Sequence, residues 1–367
     1  MVLNDLPNIG PVSLNRLLTE FGGDPCAILH ADRRRLERVK GVGPETSASV
    51  VNWRDHFDLA REEERLAKAG ATFITKDDPG YPRLLKEIHD PPIGLYRKGS
   101  YEFGHPCIAI VGSRRTTLYG QAVAKKLGAG LARLGFCVVS GLARGIDTAA
   151  HEGALSVGGK TAAVLGTGID IIYPSENLDL YRRIAEAGAI LTEFPFGRKA
   201  DKQSFAMRNR IISGISEGVV VVESDVNGGA MITARFAGEQ GRHLWAVPGR
   251  IDQATSAGCH QLIRDGAILF TGVDDILSEL NYLDGLKPAP SLREGEPGLL
   301  ERMAGELTAP EQRLVECLRG GALLGIDDLV SATGMTAPEV SAALMMLELK
   351  KLVSKRADGT FEARNTA

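Results

Sequence analysis

The segment Arg198–Arg210 carries five cations, Arg198, Lys199, Lys202, Arg208 and Arg210, with a single aromatic, Phe205, among them. Cations that follow a phosphodiester backbone, plus an aromatic face on which a base can stack, are the chemistry that binding of single-stranded nucleic acid requires. Each residue alone has a plainer reading, Phe205 as a core anchor and the lysines as a solvated loop. From Arg208, Asn209 and Arg210 the chain turns apolar, which predicts a helix that starts here and runs into a buried strand. Residues two apart on a helix do not share a face. The two arginines are therefore expected to divide two tasks: Arg210 holds phosphate, Arg208 braces the rim or a dimer contact, and Asn209 serves near the helix start as a cap or a phosphate donor.

Four glycine-rich loops each follow an apolar run. They are Gly112-Ser113-Arg114-Arg115, Gly141-Leu142-Ala143-Arg144-Gly145, Gly166-Thr167-Gly168 and Asn227-Gly228-Gly229, the last continuing to Thr233. Small residues let a backbone approach a ligand closely, and exposed N–H groups at the helix starts that follow favour an anion. A phosphate-binding rim is the expectation, although glycines at such turns also serve ordinary turn geometry. No loop matches the dinucleotide fingerprint GxGxxG, so no nucleotide cofactor is expected. The string Gly153–Thr161 resembles a P-loop, but Ala154 stands where that motif needs glycine, and the string precedes a predicted strand instead of following one. Ser-His-Asp order, metal-spaced histidines and a nucleophile elbow are all missing, so neither a catalytic residue nor a metal is expected. His151 reads as a packing or capping histidine. Glu193, at a strand end, reads as a general base or, preferably, as the group that orients an arginine.

These residues need a scaffold. Apolar runs at Ile108–Val111, Cys137–Ser140, Ala162–Leu165, Ala189–Leu191, Val219–Glu223, Leu244–Val247 and Ile268–Phe270 alternate with helical patterns, the fourth of them at Arg210–Ile215. Continuous apolar strands separated by helices predict a doubly wound, mostly parallel α/β sheet of Rossmann-like type over residues 76–284. Residues 1–75 hold an imperfect repeat, Leu6–Pro11 and Val39–Pro44, each followed by an apolar stripe (Leu14, Leu17, Leu18; Ala48, Val51). This predicts a small helical domain of helix-hairpin-helix or SAM-like type, whose glycine turns serve either a phosphate or tight packing alone. Residues 285–304 read as a linker, and 305–367 as three helices plus a hairpin, a winged helix. The helix in its recognition position, Thr336–Glu348, offers Glu339 and Glu348 but no Lys, Arg, Asn or Gln, so a protein-contact or packing role is favoured over reading DNA.

Bulk composition agrees with a local cationic site. The formal net charge is −3, yet residues 112–215 hold 14 Lys+Arg against 8 Asp+Glu, while residues 301–363 hold 7 against 10. Five cysteines stand far apart without a CxxC pair, which suits a reducing cytoplasm. Neither a signal peptide nor a membrane-length apolar run is present, so no membrane association is expected.

Taken together, these strings resemble the DNA-processing protein A (DprA/Smf) family. The resemblance is carried by Gly112-Ser113-Arg114 with Tyr119-Gly120, Ser140–Asp147, His151–Leu155, Ala163–Asp170 with Tyr173-Pro174 and Asn177, Arg208–Gly214, Ile232–Ala234, Gly241-Arg242 and Ala246–Gly249. It implies a non-catalytic, homodimeric protein that pairs through its Rossmann-like domain. Such a protein binds single-stranded DNA and helps load the RecA recombinase during natural transformation. The family's phosphate pocket carries over to Gly112, Ser113 and Arg114, and its basic and aromatic groove to Lys202, Phe205, Arg208 and Arg210. Two departures stand out: Ala206 replaces a usual proline, and Gly229-Ala230-Met231 a usual Gly-Ser-Leu. The rival is a nucleotide-cleaving phosphoribohydrolase on a similar core, although Asn227–Thr233 does not match the PGGxGTxxE loop it needs.

Overall fold

Short runs too brief for helices, most of them β-branched or alanine-rich and apolar on both faces, assemble into a nine-stranded sheet in the computed structural model of the chain. The structure describes residues 1–281, 283, 307–318, 322, 324–350, 352–355 and 359–363. The strands are β1 (Ala71–Thr75), β2 (Gly94–Lys98), β3 (Cys107–Val111), β4 (Cys137–Ser140), β5 (Thr161–Val164), β6 (Ala189–Thr192), β7 (Gly218–Val221), β8 (His243–Ala246) and β9 (Ile268–Leu269). Their order is β1-β2-β6-β5-β4-β3-β7-β8-β9, with β3 to β9 parallel and β1 and β2 antiparallel at one edge. All seven parallel strands coincide with predicted runs. The antiparallel pair was not anticipated, because β1 buries only Ile74 and its remaining positions give no strong apolar signal.

Helices cover both faces. Ile211, Ile212 and Ile215 of the helix Lys202–Ile215 and Ala230, Ala234 and Ala237 of the helix Gly229–Glu239 pack on Ala109, Val111, Val139, Val164 and Val219. On the opposite face, Leu180, Tyr181 and Ile184 of the helix Leu178–Ala187 meet Ala163, Leu165 and Ile190. The helix predicted from Arg210 in fact begins at Lys202, because Asp201 caps it: its carboxylate accepts from the Ser204 amide at 2.7 Å, and Ser204 Oγ accepts from the Asp201 amide at 3.2 Å. Arg208, Asn209 and Arg210 are therefore mid-helix. Asn209 is not a cap, and its amide donates to Gly229 O at 3.3 Å.

Met1–Lys287 and Pro288–Ala367 form two compact units. In the first, the helices Pro11–Glu20 and Pro44–Val51 open on Gly10 and Gly43, each with proline as the first helical residue. The second repeat buries Thr46, Ser47, Ser49 and Val50, not the expected Ala48 and Val51. Hydrogen bonds explain the difference: Thr46 donates to Asn8 O and Ser47 to Glu37, so polar side chains occupy the face that apolar periodicity would have ignored. The Tyr96 hydroxyl of β2 lies 2.9 Å from Asp5 and 3.0 Å from Glu62, which ties the helical segment to the sheet. In the second unit, the helices Ala309–Cys317, Ile326–Thr333 and Ala337–Leu349 enclose Leu314, Leu329, Val340 and Leu347 beside the hairpin Val353–Lys355/Phe361–Ala363. The expected linker 285–304 lies outside the described residues.

The helices Leu118–Arg133 and Ile146–Ser156 cross at glycines. A Cβ on Gly153 would stand 2.1 Å from Lys125 O, and one on Gly128 2.4 Å from Ala150 O. Gly153→Ala should therefore lower the unfolding free energy by roughly 1–3 kcal/mol in denaturant titrations. Gly238→Ala, in a helix with nothing within 4 Å of the new methyl, should be neutral or stabilising by up to about 1 kcal/mol. Equal stability of both variants would contradict this packing.

Candidate functional site

The strand order reverses beside β3, which continues to β4, β5 and β6 on one side and to β7, β8 and β9 on the other. Loops leaving the carboxyl ends of β3 and β7 diverge there and open the crevice in which sheets of this kind bind ligands. The crevice has a volume of about 580 Å³ and is lined by Gly112, Ser113, Arg114, Arg115, Lys202, Phe205, Arg208, Asn209, Gly228, Gly229 and Thr233, among others. Gly141, Arg144, Gly145, Gly166, Gly168 and Arg210, expected on the same rim, are not part of this lining.

Glu223, just beyond β7 and 2% exposed, holds the first loop. Its carboxylate accepts from Thr116 Oγ1 at 2.6 Å, from the Thr117 amide at 2.9 Å and from Thr117 Oγ1, and its backbone oxygen accepts from the Ser113 amide at 2.7 Å. This residue was not singled out in sequence, although a carboxylate ending an apolar strand was the available signal. Arg114 is exposed and lies over Phe205, its guanidinium carbon 4.9 Å from the ring centroid.

Arg208 approaches the same ring at 5.8 Å but is buried. Its Nη1 donates to Gly141 O at 2.8 Å and to Val164 O, the backbone ends of β4 and β5, and its Nε donates to Asn209 Oδ1 at 3.2 Å. Burial lowers its pKa to about 10, so it stays charged at neutral pH. Asp147, buried nearby, accepts from the Gly141 and Ala143 amides at 3.1 and 3.3 Å; burial raises its pKa while the Arg208 charge opposes the shift.

Arg210 was expected in the pocket and is not there. It is 2% exposed, with Nε 2.9 Å from Asp90 Oδ2 and Nη2 2.6 Å from Glu193 Oε2. The two arginines do divide two tasks, in the opposite assignment: Arg208 lines the crevice and Arg210 braces the interior. Glu193 orients an arginine, as preferred, but inside the fold and not on the rim.

Several glycines also serve packing in place of open anion-binding amides. Gly141 makes room for the Arg208 guanidinium, which a Cβ would meet at 2.3 Å. Gly166 lies under Phe205, whose Cδ1 a Cβ would meet at 2.7 Å. Gly168 donates to Arg198 O at 2.9 Å and Gly228 to Asp225 O at 2.9 Å, so those N–H groups are already used. Gly145 adopts φ 80° against Ser113 O, a conformation and an approach that only glycine accepts. Arg144 is paired with Glu176 through two hydrogen bonds. The Gly153–Thr161 string spans the end of a helix and the start of β5, so it is no P-loop.

Residues 72–281 match the family model described as DNA recombination-mediator protein A, and residues 300–359 match the DprA winged helix domain. The chain belongs to the DprA family. Protein Smf of Synechocystis is 34% identical over 98% of this chain and 97% of its own length. The crystal structure of DprA from Streptococcus pneumoniae aligns with a TM-score of 0.66 at 34% identity, covering 76% of this chain and 95% of that one. A DprA structure from Helicobacter pylori, described for its single-stranded DNA binding mode, aligns at 0.53 and 29% identity, covering 58% and 98%. The Rossmann-like core and the winged helix are thus those of DprA.

Arg210→Ala leaves the Glu193 carboxylate buried without its partner, which typically costs about 3–5 kcal/mol; denaturant unfolding should register that loss. His151 makes a second test. Thr161 Oγ1 donates to Val138 O, so His151 Nδ1 must donate to Thr161 at 2.7 Å, and buried Nε2 is left as an acceptor without a partner. Burial and the Arg208 charge lower its pKa from 6.5 to about 3. The unfolded state therefore binds a proton first, and this contribution to stability is present above pH 6.5 and lost as pH falls toward 3. Asp5, raised to about 6 by burial, acts with the opposite sign, so a comparison of variants isolates the histidine. His151→Gln should flatten the decline in unfolding free energy between pH 6.5 and pH 5 relative to wild type; an unchanged slope would refute the assignment.

Proposed function

We propose that this protein binds single-stranded DNA in the crevice between β3 and β7 without catalysing a reaction, and that, as a homodimer paired through the Rossmann-like domain, it helps load RecA onto DNA entering by natural transformation. The observation that carries the reading is the Arg114–Phe205–Arg208 stack. It gathers one exposed and one fixed guanidinium at a half-buried aromatic ring, at 4.9 and 5.8 Å from its centroid. Bases have a π-face whatever their identity and phosphates recur along any strand, so such a stack suits a single strand of any sequence. Lys202, exposed at the start of its helix, supplies a further cation on the same crevice. Family membership supports the DNA-processing role, and the described mode of the Helicobacter pylori protein supports the choice of single strands. Loading of RecA and the dimer rest on the family resemblance. Against the phosphoribohydrolase reading, the Glu193 carboxylate that it would use as a base is buried on Arg210.

Binding should favour single-stranded over duplex oligonucleotides and weaken steeply with salt. For single strands the slope of log K against log salt is about −0.7 per phosphate neutralised. Arg114→Ala should reduce the slope by roughly that amount, and Phe205→Ala should cost about 1–3 kcal/mol of affinity, the value of one base stack. Wild-type affinity in both variants would remove the crevice from consideration. Release of free base from nucleoside monophosphates would favour the hydrolase.

A further inference from the structure

Phe205 has an aromatic neighbour outside the crevice. The Tyr173 ring lies 5.4 Å from it, centroid to centroid, tilted by 46°, and is 39% exposed. A large aromatic side chain at that exposure, in contact with the half-buried ring that lines the crevice, extends the apolar face outward. The segment that carries it is firmly held. Asn177, buried, donates to Leu142 O at 3.0 Å and to Thr148 Oγ1 at 2.9 Å, which fastens the turn Ser175–Asn177 to the loop bearing Arg144. On that loop Arg144 donates to both carboxylate oxygens of Glu176, Nη2 at 3.0 Å, and its guanidinium feels the Tyr173 hydroxyl as well. Arg144 and Glu176 are about half exposed, at 53% and 51%. At this exposure water and salt screen even a two-pronged pair, so another anion can compete for the guanidinium.

We propose that Tyr173 is a second nucleobase platform, continuous with Phe205, and that the Arg144–Glu176 ion pair beside it is a latch that an incoming phosphodiester opens. The inference rests on the reading of the crevice as a single-strand site and extends the strand's path along the rim. Adjacent bases stack on Phe205 and Tyr173, and the phosphate of the outer nucleotide takes Arg144 from Glu176. Glu176 thus tunes affinity against the protein's own ligand, so its neutralisation strengthens binding.

The test uses the full chain with oligothymidine and an abasic strand of the same length, by fluorescence anisotropy at fixed moderate salt. Tyr173→Ala should weaken oligothymidine binding by about five- to a hundredfold, the range for loss of one base stack, and leave the abasic strand at wild-type affinity. Tyr173→Phe should bind normally, which separates stacking from a folding defect. Glu176→Gln should tighten both strands about two- to fivefold, with an effect that shrinks as salt rises. Equal losses on both strands in Tyr173→Ala, or unchanged affinity in Glu176→Gln, would overturn the proposal. If Phe205→Ala loses binding while Tyr173→Ala does not, the crevice stands and this extension fails; if wild type binds neither strand, both fail.

Discussion

A guanidinium buried where two parallel strands end is the constraint around which the site is arranged. Arg208 reaches the carboxyl ends of β4 and β5 and donates to Gly141 O and Val164 O. A buried cation is tolerated only when its donors are matched and its charge is offset. The neighbouring residues meet that requirement. Gly141 lacks a side chain where the guanidinium must pass, Asp147 lies buried within reach of the charge, and His151 is kept neutral close by. Phe205, one helical turn earlier, then has a fixed positive charge beside its ring and glycine beneath it. A crevice cation held by two backbone carbonyls does not need to be ordered when ligand arrives, so less conformational entropy is lost on binding.

The pattern of the sequence revealed the scaffold wherever one physical signal dominated. Five of the parallel strands, β3 to β7, were legible because burial on both faces makes each a nearly continuous apolar run, and β8 and β9 because short apolar stretches follow helical patterns. The edge strand β1 escaped because exposure dilutes that signal, and β2 because its buried run is only Gly94, Leu95 and Tyr96 before Arg97 and Lys98. The helix Lys202–Ile215 was truncated in the reading because its first turns are polar, and its true start depends on the Asp201–Ser204 capping box. Its hydrophobic half begins at Ile211, and periodicity sees only that half.

The arginines show what residue types cannot decide. Two guanidiniums on one helix, two positions apart, must face different surroundings. Which one faces ligand depends on partners far away in sequence. Asp90 and Glu193 capture Arg210, whereas strand-end carbonyls capture Arg208. Nothing in the local stretch distinguishes them. In the winged helix the same principle applies to Glu339 and Glu348, which accept from the Thr336 and Lys355 amides respectively and so have structural duties.

Most amides of the glycine loops are already hydrogen-bonded within the protein, which limits what anion the site suits. A nest of free amides closes around one compact phosphate, as in a P-loop. Here Gly141, Ala143, Thr117, Gly168 and Gly228 spend their N–H groups on Asp147, Glu223, Arg198 and Asp225. The attraction that remains comes from side-chain cations spread along a rim, Arg114, Lys202 and the fixed Arg208, with aromatic surface between them. Spread charges favour a ligand whose charges are also spread. An extended phosphodiester strand satisfies several at once, whereas a mononucleotide satisfies one and leaves the aromatic face half used. On the proposed reading, the close packing that demands glycine on this rim also leaves it better suited to a polymer than to a mononucleotide.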